Sequence, residues 1–284
     1  MTRPPSDDIQ APPFPRMAVW VNASRLRMEE QRGHPVLVEF WDFCRPNSIR
    51  TLPYLSGWHE RYRDAGLLVI GVHSAGFPPG SSPRAVRRAV ARLGIAYPVL
   101  VDSALEVWRE YENLGWPARY LFGPDGMLYE YHFGEGGYAE TERAIQELLG
   151  LEREPLAPVR PEDDPDAVLA VQSDDVAGPY SGPYEAGEVW AVLEPREAAP
   201  PDARVVRARS VSAGEGAGAG EGTAAGERTG ANGETGIAEA ELRVDHPGAY
   251  RLFAHRRSTA GELSLELGEG VVCHAVCFTP GLAR

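Results

Sequence analysis

Two regimes of hydrophobic patterning meet near residue 150. Up to that point, continuous apolar runs of strand length alternate with stretches of helical period. Residues 35–43 form such a run, with aromatic and β-branched residues that suit a buried central strand. Residues 48–64 carry Leu52, Leu55, Trp58, His59 and Tyr62 as a helical stripe, with Gly66 as a stop just beyond it. Residues 67–73 are a second apolar strand. Strand, helix, strand at this spacing predicts a βαβ unit with a parallel pair. A helix over 83–93 capped by Ser82, a strand over 97–102 and a short helix over 103–111 come next. Two strands then flank the turn Gly123-Pro124-Asp125-Gly126, and an amphipathic helix over 138–149 closes the unit. Residues 17–22 predict a short entry strand, and the proline-rich residues 1–16 an extended arm.

Beyond residue 150 the helical period vanishes. Proline, acidic residues and glycine dominate 155–183, and the segments 188–193, 238–244, 249–255, 261–267 and 271–278 are short, alternating and bounded by turn residues. That pattern predicts an antiparallel β-sandwich or jelly roll, with Leu252 and Leu265 in its core. Residues 213–236 are rich in Gly, Ala, Glu and Thr and lack large apolar anchors, which predicts a flexible loop. The expected organisation is therefore an α/β domain over 17–150 followed by an all-β domain over 151–284.

Charge narrows the function classes. The net charge of −13 is uneven: residues 1–150 carry 16 Arg against 18 acidic residues, and the remainder 12 Arg against 23. An acidic second half argues against nucleic acid binding, which needs the opposite sign. All basic residues other than histidine are arginine. Arg84, Arg87, Arg88 and Arg92 crowd one side of the helix over 83–93, as a solvated face or as a site for an anionic partner. The cysteines, Cys44, Cys273 and Cys277, do not make a disulfide framework, and in an extended strand Cys273 and Cys277 face the same side about 13 Å apart, too far to bridge. With no apolar leader at residues 1–8 and no run of membrane-spanning length, the expected location is the cytoplasm. No metal-ligand spacing, nucleophile elbow or phosphate-binding glycine loop is present, so neither metal nor cofactor is expected.

The candidate chemistry lies where the first strand meets the first helix: Phe40-Trp41-Asp42-Phe43-Cys44-Arg45-Pro46-Asn47-Ser48-Ile49-Arg50-Thr51-Leu52-Pro53. This segment resembles the active-site stretch of thioredoxin-like proteins, F-W-x-x-[WSC]-C-x-x-C with a proline five residues after the second cysteine. Counting back from Pro53 and forward from Phe40-Trp41 gives one register, with Arg45 and Ser48 at the two cysteine positions. Further motifs extend the resemblance over about 17–150: Gly71-Val72-His73-Ser74, Tyr97-Pro98-Val99 with Asp102, Trp116-Pro117-Ala118-Arg119-Tyr120-Leu121 and Phe133-Gly134-Glu135-Gly136. The chain is similar in these to the redoxin family, in particular its DipZ-type thioredoxin modules. Phe278-Thr279-Pro280-Gly281-Leu282 resembles the end of the sandwich domain that accompanies such modules.

The resemblance implies a thioredoxin-like fold, a cis bond before Pro117, and loss of dithiol exchange, because Arg45 and Ser48 supply neither an attacking nor a resolving thiol. It implies a groove around Trp41, Asp42, His73, Trp116 and Pro117 that takes an extended peptide or protein partner. Cys44, one position early, is either a tolerated neighbour of the lost nucleophile or a single catalytic thiol; its burial distinguishes them. Arg45 is either an anion or partner contact or an exposed substitution. The leading expectation is a binding or scaffold protein, with a monothiol oxidoreductase or antioxidant as the alternative.

Overall fold

The apolar run at the start of the chain forms β2 (Val36–Trp41), buried at every position. In this computed structural model, which describes residues 9–212, 218–219 and 236–283, β2 sits centrally in a six-stranded sheet. It pairs in parallel with β3 (Leu68–Ser74) and antiparallel with β5 (Ala118–Phe122). Beyond β3 lie β4 (Val99–Asp102), parallel to it, and β1 (Val19–Val21), antiparallel to β4. On the other side β6 (Leu128–Phe133) returns beside β5, giving the order β1-β4-β3-β2-β5-β6. Together with its helices this is a thioredoxin-like α/β unit.

Period-two alternation makes the two faces of β2 different. Val38 and Phe40 enter a core with Trp20, Ile70, Val72, Leu100, Tyr111 and Phe122. Glu39 and Trp41 turn to the opposite face. Arg119, in register with Glu39, reaches 5.8 Å from the Trp58 ring of α1 (Pro46–Tyr62) and 5.0 Å from the Tyr138 ring of α4 (Tyr138–Leu149). Helices α1 and α4 thus cover that face, joined by a Tyr54–Tyr138 stack at 3.7 Å. Helix α2 (Pro83–Arg92) packs on β1 and β4. The short α3 (Glu106–Glu110) starts later than its sequence pattern predicts, because the Asp102 carboxylate accepts the N–H groups of Glu106, Val107 and Trp108 and so sets its first turn.

Residues 9–16 are extended but pinned. Leu128 N–H donates to the Ile9 carbonyl at 2.7 Å, and the buried Phe14 sets its ring edge-on to Trp20. The first compact unit runs to Val159. The carboxylate of Glu142, 1 % exposed, explains why: it accepts from Trp58 Nε1, Arg61 Nη1, Tyr62 Oη and the backbone N–H of Leu156. Segment 151–159 is thereby tied to α1 and α4.

The second unit, Arg160–Arg284, is an all-antiparallel sheet built on long strands. Its path is β11 (Gly236–Arg243), β9 (Val205–Ser212), β12 (Gly248–Leu267), β8 (Gly182–Pro195), β13 (Val271–Thr279) and β7 (Val176–Ala177), with β10 (Gly218–Ala219) paired to β12. Residues 249–255 and 261–267, expected as two strands, are one. A bulge between Ala254 and Thr259 interrupts β12, which pairs with β8 on both sides of it, from Gly248 to Leu263, and with β9 from Gly261 to Leu267. Strands β8, β9 and β12 contribute Tyr184, Val189, Leu193, Val206, Leu252, Phe253 and Leu263 to a core, against which Leu265 is partly buried. Gly187 sits at the matching shift in β8, where a Cβ would lie 2.5 Å from the Pro280 carbonyl oxygen. The loop expected over 213–236 lies outside the described residues except for β10 and the first residue of β11.

One expectation is corrected in β13. A bulge between Cys273 and Ala275 reverses the alternation, so Cys273 joins the core with Val276 and Phe278 while Cys277 does not. Both thiols are buried, on different faces.

Candidate functional site

The site is built where β2 ends and α1 begins. Pro46 takes the first helical position, where its missing N–H costs nothing, and Arg45 is the extended cap residue. Asp42 organises the connection. Its Oδ1 accepts from Cys44 N–H at 2.9 Å, its Oδ2 from Gly76 N–H at 2.8 Å, and its own N–H donates to Ser48 Oγ at 3.2 Å. His73, at the end of β3, places Nε2 within 3.3 Å of Phe43 N and 3.4 Å of Asp42 Oδ1. The imidazole is edge-on to Trp41 and stacked on Phe43.

These contacts use Asp42, Ser48 and His73 as internal supports. Trp41, Asp42, Ser48 and His73 are all fully buried, so Trp41, Asp42 and His73, expected to line a groove, present no surface of their own. Cys44 is buried too, and its backbone N–H is held in the turn by Asp42.

Arg45 lies flat rather than projecting as an exposed substitution. Its guanidinium carbon is 4.3 Å from the Trp116 ring and 5.1 Å from that of Phe77, distances at which a cation is attracted to the ring face. Asn47 donates from Nδ2 to the Trp116 carbonyl at 2.7 Å, and Trp116 Nε1 donates to the Ser74 carbonyl at 2.8 Å. The Trp116–Pro117 bond is cis. The two side chains that flank Pro46 thus hold the loop before β5, one through the ring and one through the backbone.

Beneath α1 lies a buried polar layer of Glu39, Trp41, Tyr97 and Arg119, of which Glu39 alone belongs to none of the sequence motifs. Glu39 is fully buried, and neither carboxylate oxygen has a hydrogen-bond partner among the described residues. Burial pushes its pKa up to about 8, against the opposing pull of Arg119. Trp41 Nε1, Tyr97 Oη and Arg119 Nε and Nη1 are likewise buried without partners among the described residues. Tyr97 is driven well above the ordinary phenol range, first by burial and then by Glu39. A lone acid inside the run Val36-Leu37-Val38-Glu39-Phe40-Trp41 was the visible signal.

No group of His, Cys, Asp and Glu among the described residues is arranged to hold a metal.

Residues 10–131 match the AhpC/TSA family. Over that stretch the first unit is similar to the thioredoxin-like redoxins. It is similar to DipZ of Mycobacterium bovis, at 36 % identity over 142 residues, which is 49 % of this chain and 20 % of DipZ. It is also similar to the thiol-disulfide oxidoreductase YkuV of Bacillus subtilis, at 25 % identity over 140 residues, 48 % of this chain and 94 % of YkuV. Among solved structures, a thiol-disulfide isomerase of Corynebacterium glutamicum aligns with a TM-score of 0.44 and 25 % identity, covering 50 % of this chain and 98 % of the other. The chain spans about a fifth of the length of the first curated relatives it matches. The matched residues 10–131 lie in the unit that carries the site.

Proposed function

We propose that this redoxin unit is a binding module that performs no dithiol exchange, with Arg45-Pro46-Asn47-Ser48 standing where a redox pair would lie. The observation that carries this reading is the absence of an accessible thiol: Cys44 is fully buried, and residues 45–48 contain no cysteine. Thiol-disulfide exchange needs an attacking thiolate that can reach a disulfide and a second thiol that resolves the adduct. The burial of Cys44 weighs against the alternative of a single-cysteine oxidoreductase or antioxidant. In place of the dithiol, Arg45 and Asn47 brace the loop before Pro117. The proposed partner is an extended peptide or protein lying along that loop, beside Leu114, 83 % exposed, and Phe133, 40 % exposed. The proposed setting is a reducing compartment such as the cytoplasm, which suits three cysteines that form no disulfide. No helix among the described residues is long and apolar enough to cross a membrane.

Insulin reduction by dithiothreitol tests the reading. The protein is expected to give no acceleration over the reductant, and Cys44 to react with a thiol reagent only on unfolding. Robust turnover lost in Cys44→Ser would replace the binding reading with a monothiol enzyme. The double variant Arg45→Cys with Ser48→Cys is expected to gain dithiol activity, since both positions sit at the helix start that activates such a pair.

A further inference from the structure

Helix α2 breaks the local rules of helix electrostatics without a visible return inside the fold. Its inward face is fully used: Val86, Ala89 and Val90 are buried, Ser82 Oγ accepts from Ala85 N–H at 3.3 Å, and Pro83 opens the first turn. Its outward face is exposed and basic. Arg84, Arg87 and Arg88 repeat at spacings of three and four residues, so like charges stack one turn apart, which costs an isolated helix a few tenths of a kcal/mol per pair. Arg84 also puts a cation in the first turn, at the positive end of the helix dipole. Among the described residues no carboxylate pairs with Arg84, Arg87 or Arg88. Nor is one nearby in sequence, since residues 65–101 contain no Asp or Glu in a chain of net charge −13. Arg92 continues the same side on the next turn.

We infer that the outward face of α2, centred on Arg84, Arg87 and Arg88, is a docking surface for an acidic protein segment. The locally unfavourable charge is offset when carboxylates lie across it, and a partner helix with acids at the same three- and four-residue spacing meets all three guanidinium groups at once. The size of the partner follows from screening. Beyond about 8 Å at physiological salt a charge is largely hidden, so a short acidic segment senses only the arginine face. A long nucleic acid or a charged bilayer reaches past the arginine face onto a unit whose residues 1–150 carry 18 acidic residues against 16 Arg, where it gains no net attraction. The inference is independent of the groove before Pro117.

Fluorescence anisotropy of a labelled helical peptide carrying Glu at every fourth position, titrated with the full chain, tests it. Binding is expected at low salt and is expected to weaken steeply as salt rises through about 0.3 M. The triple variant Arg84→Gln, Arg87→Gln, Arg88→Gln should bind roughly tenfold or more weakly, the sum of three exposed charge pairs. Its thermal midpoint should stay level or rise, because the like-charge contacts are relieved. The control Arg207→Gln with Arg209→Gln, which removes arginines already facing Glu241 and Glu239, should bind as the parent does. Four results overturn the inference: no binding at low salt, equal binding by the triple variant, tighter binding to phosphatidylserine vesicles or single-stranded DNA than to the peptide, or a large loss of stability in the triple variant.

Discussion

Glu39→Gln should change how the stability of the protein depends on pH, with a sign fixed by the burial of Glu39. In the folded protein the carboxyl holds its proton up to about pH 8, whereas its ordinary value is 4.5. Between those limits the folded state binds one more proton than the unfolded state, so stability falls as pH rises through the window and levels off above it. At about 1.4 kcal/mol per pH unit, a window of that width amounts to roughly 5 kcal/mol as an upper figure. Some relief by water entering the layer around Tyr97, Trp41 and Arg119 brings the expected loss to about 3–5 kcal/mol. Glutamine has nearly the same shape and no proton to lose. Urea unfolding of both proteins from pH 5 to pH 9 therefore reads the carboxyl alone, since every other titrating group cancels in the difference. The two are expected to be close at pH 5, with the variant progressively more stable toward pH 8 and a constant gap beyond. Parallel curves across the whole range would falsify the assignment of Glu39 as a neutral buried acid.

The remaining expectations are brief. Glu142→Ala strands the Trp58, Tyr62 and Leu156 donors together with Arg61, and should lower stability by about 3–5 kcal/mol in urea unfolding, the cost of breaking a buried charged network. Leu252→Ala, at a fully buried site, should cost about 2–5 kcal/mol, and Leu265→Ala distinctly less because its side chain is only partly covered. His255 is buried and hydrogen-bonded to Tyr184 Oη, and burial pushes its pKa down to about 4. Stability should therefore drop as pH falls from about 6.5 toward 4, because the unfolded imidazole takes up a proton that the folded one refuses; His255→Gln should flatten that limb.

The first unit was legible because its inner strands β2, β3, β4 and β5 are buried on both faces and so read as apolar runs, and because Pro53 and Phe40-Trp41 anchor the helix start from both sides. What escaped notice depends on contacts between residues far apart in sequence. Nothing local in Arg45 tells that its guanidinium will lie on Trp116, and Glu39 was absorbed into its strand because position alone does not reveal whether a buried acid finds a partner. In the second unit, β9 went unrecognised: its inward positions are Val206, Ala208, Ser210 and Ser212, too small and polar to mark a core face. The bulges at 254–259 and 273–275 were hidden for a different reason. Alternation reports which side a residue faces only while pairing stays regular, and a bulge reverses the meaning of every position after it.

The tie between Glu142 and Leu156 also bears on how the chain is to be shortened. A fragment ended at residue 150, where the helix pattern stops, would retain a buried carboxylate stripped of the Leu156 N–H, and would open the ground beneath Gly57, where Leu156 packs. It would also lose the donation from Val159 N–H to Tyr54 Oη and from Arg153 N–H to Gln146 Oε1, both on helices that cover the polar layer. Nine residues without helix or strand then act as a strap across α1 and α4. A fragment of the first unit meant for crystallisation, labelling or fusion keeps its own fastening only if it runs through Val159.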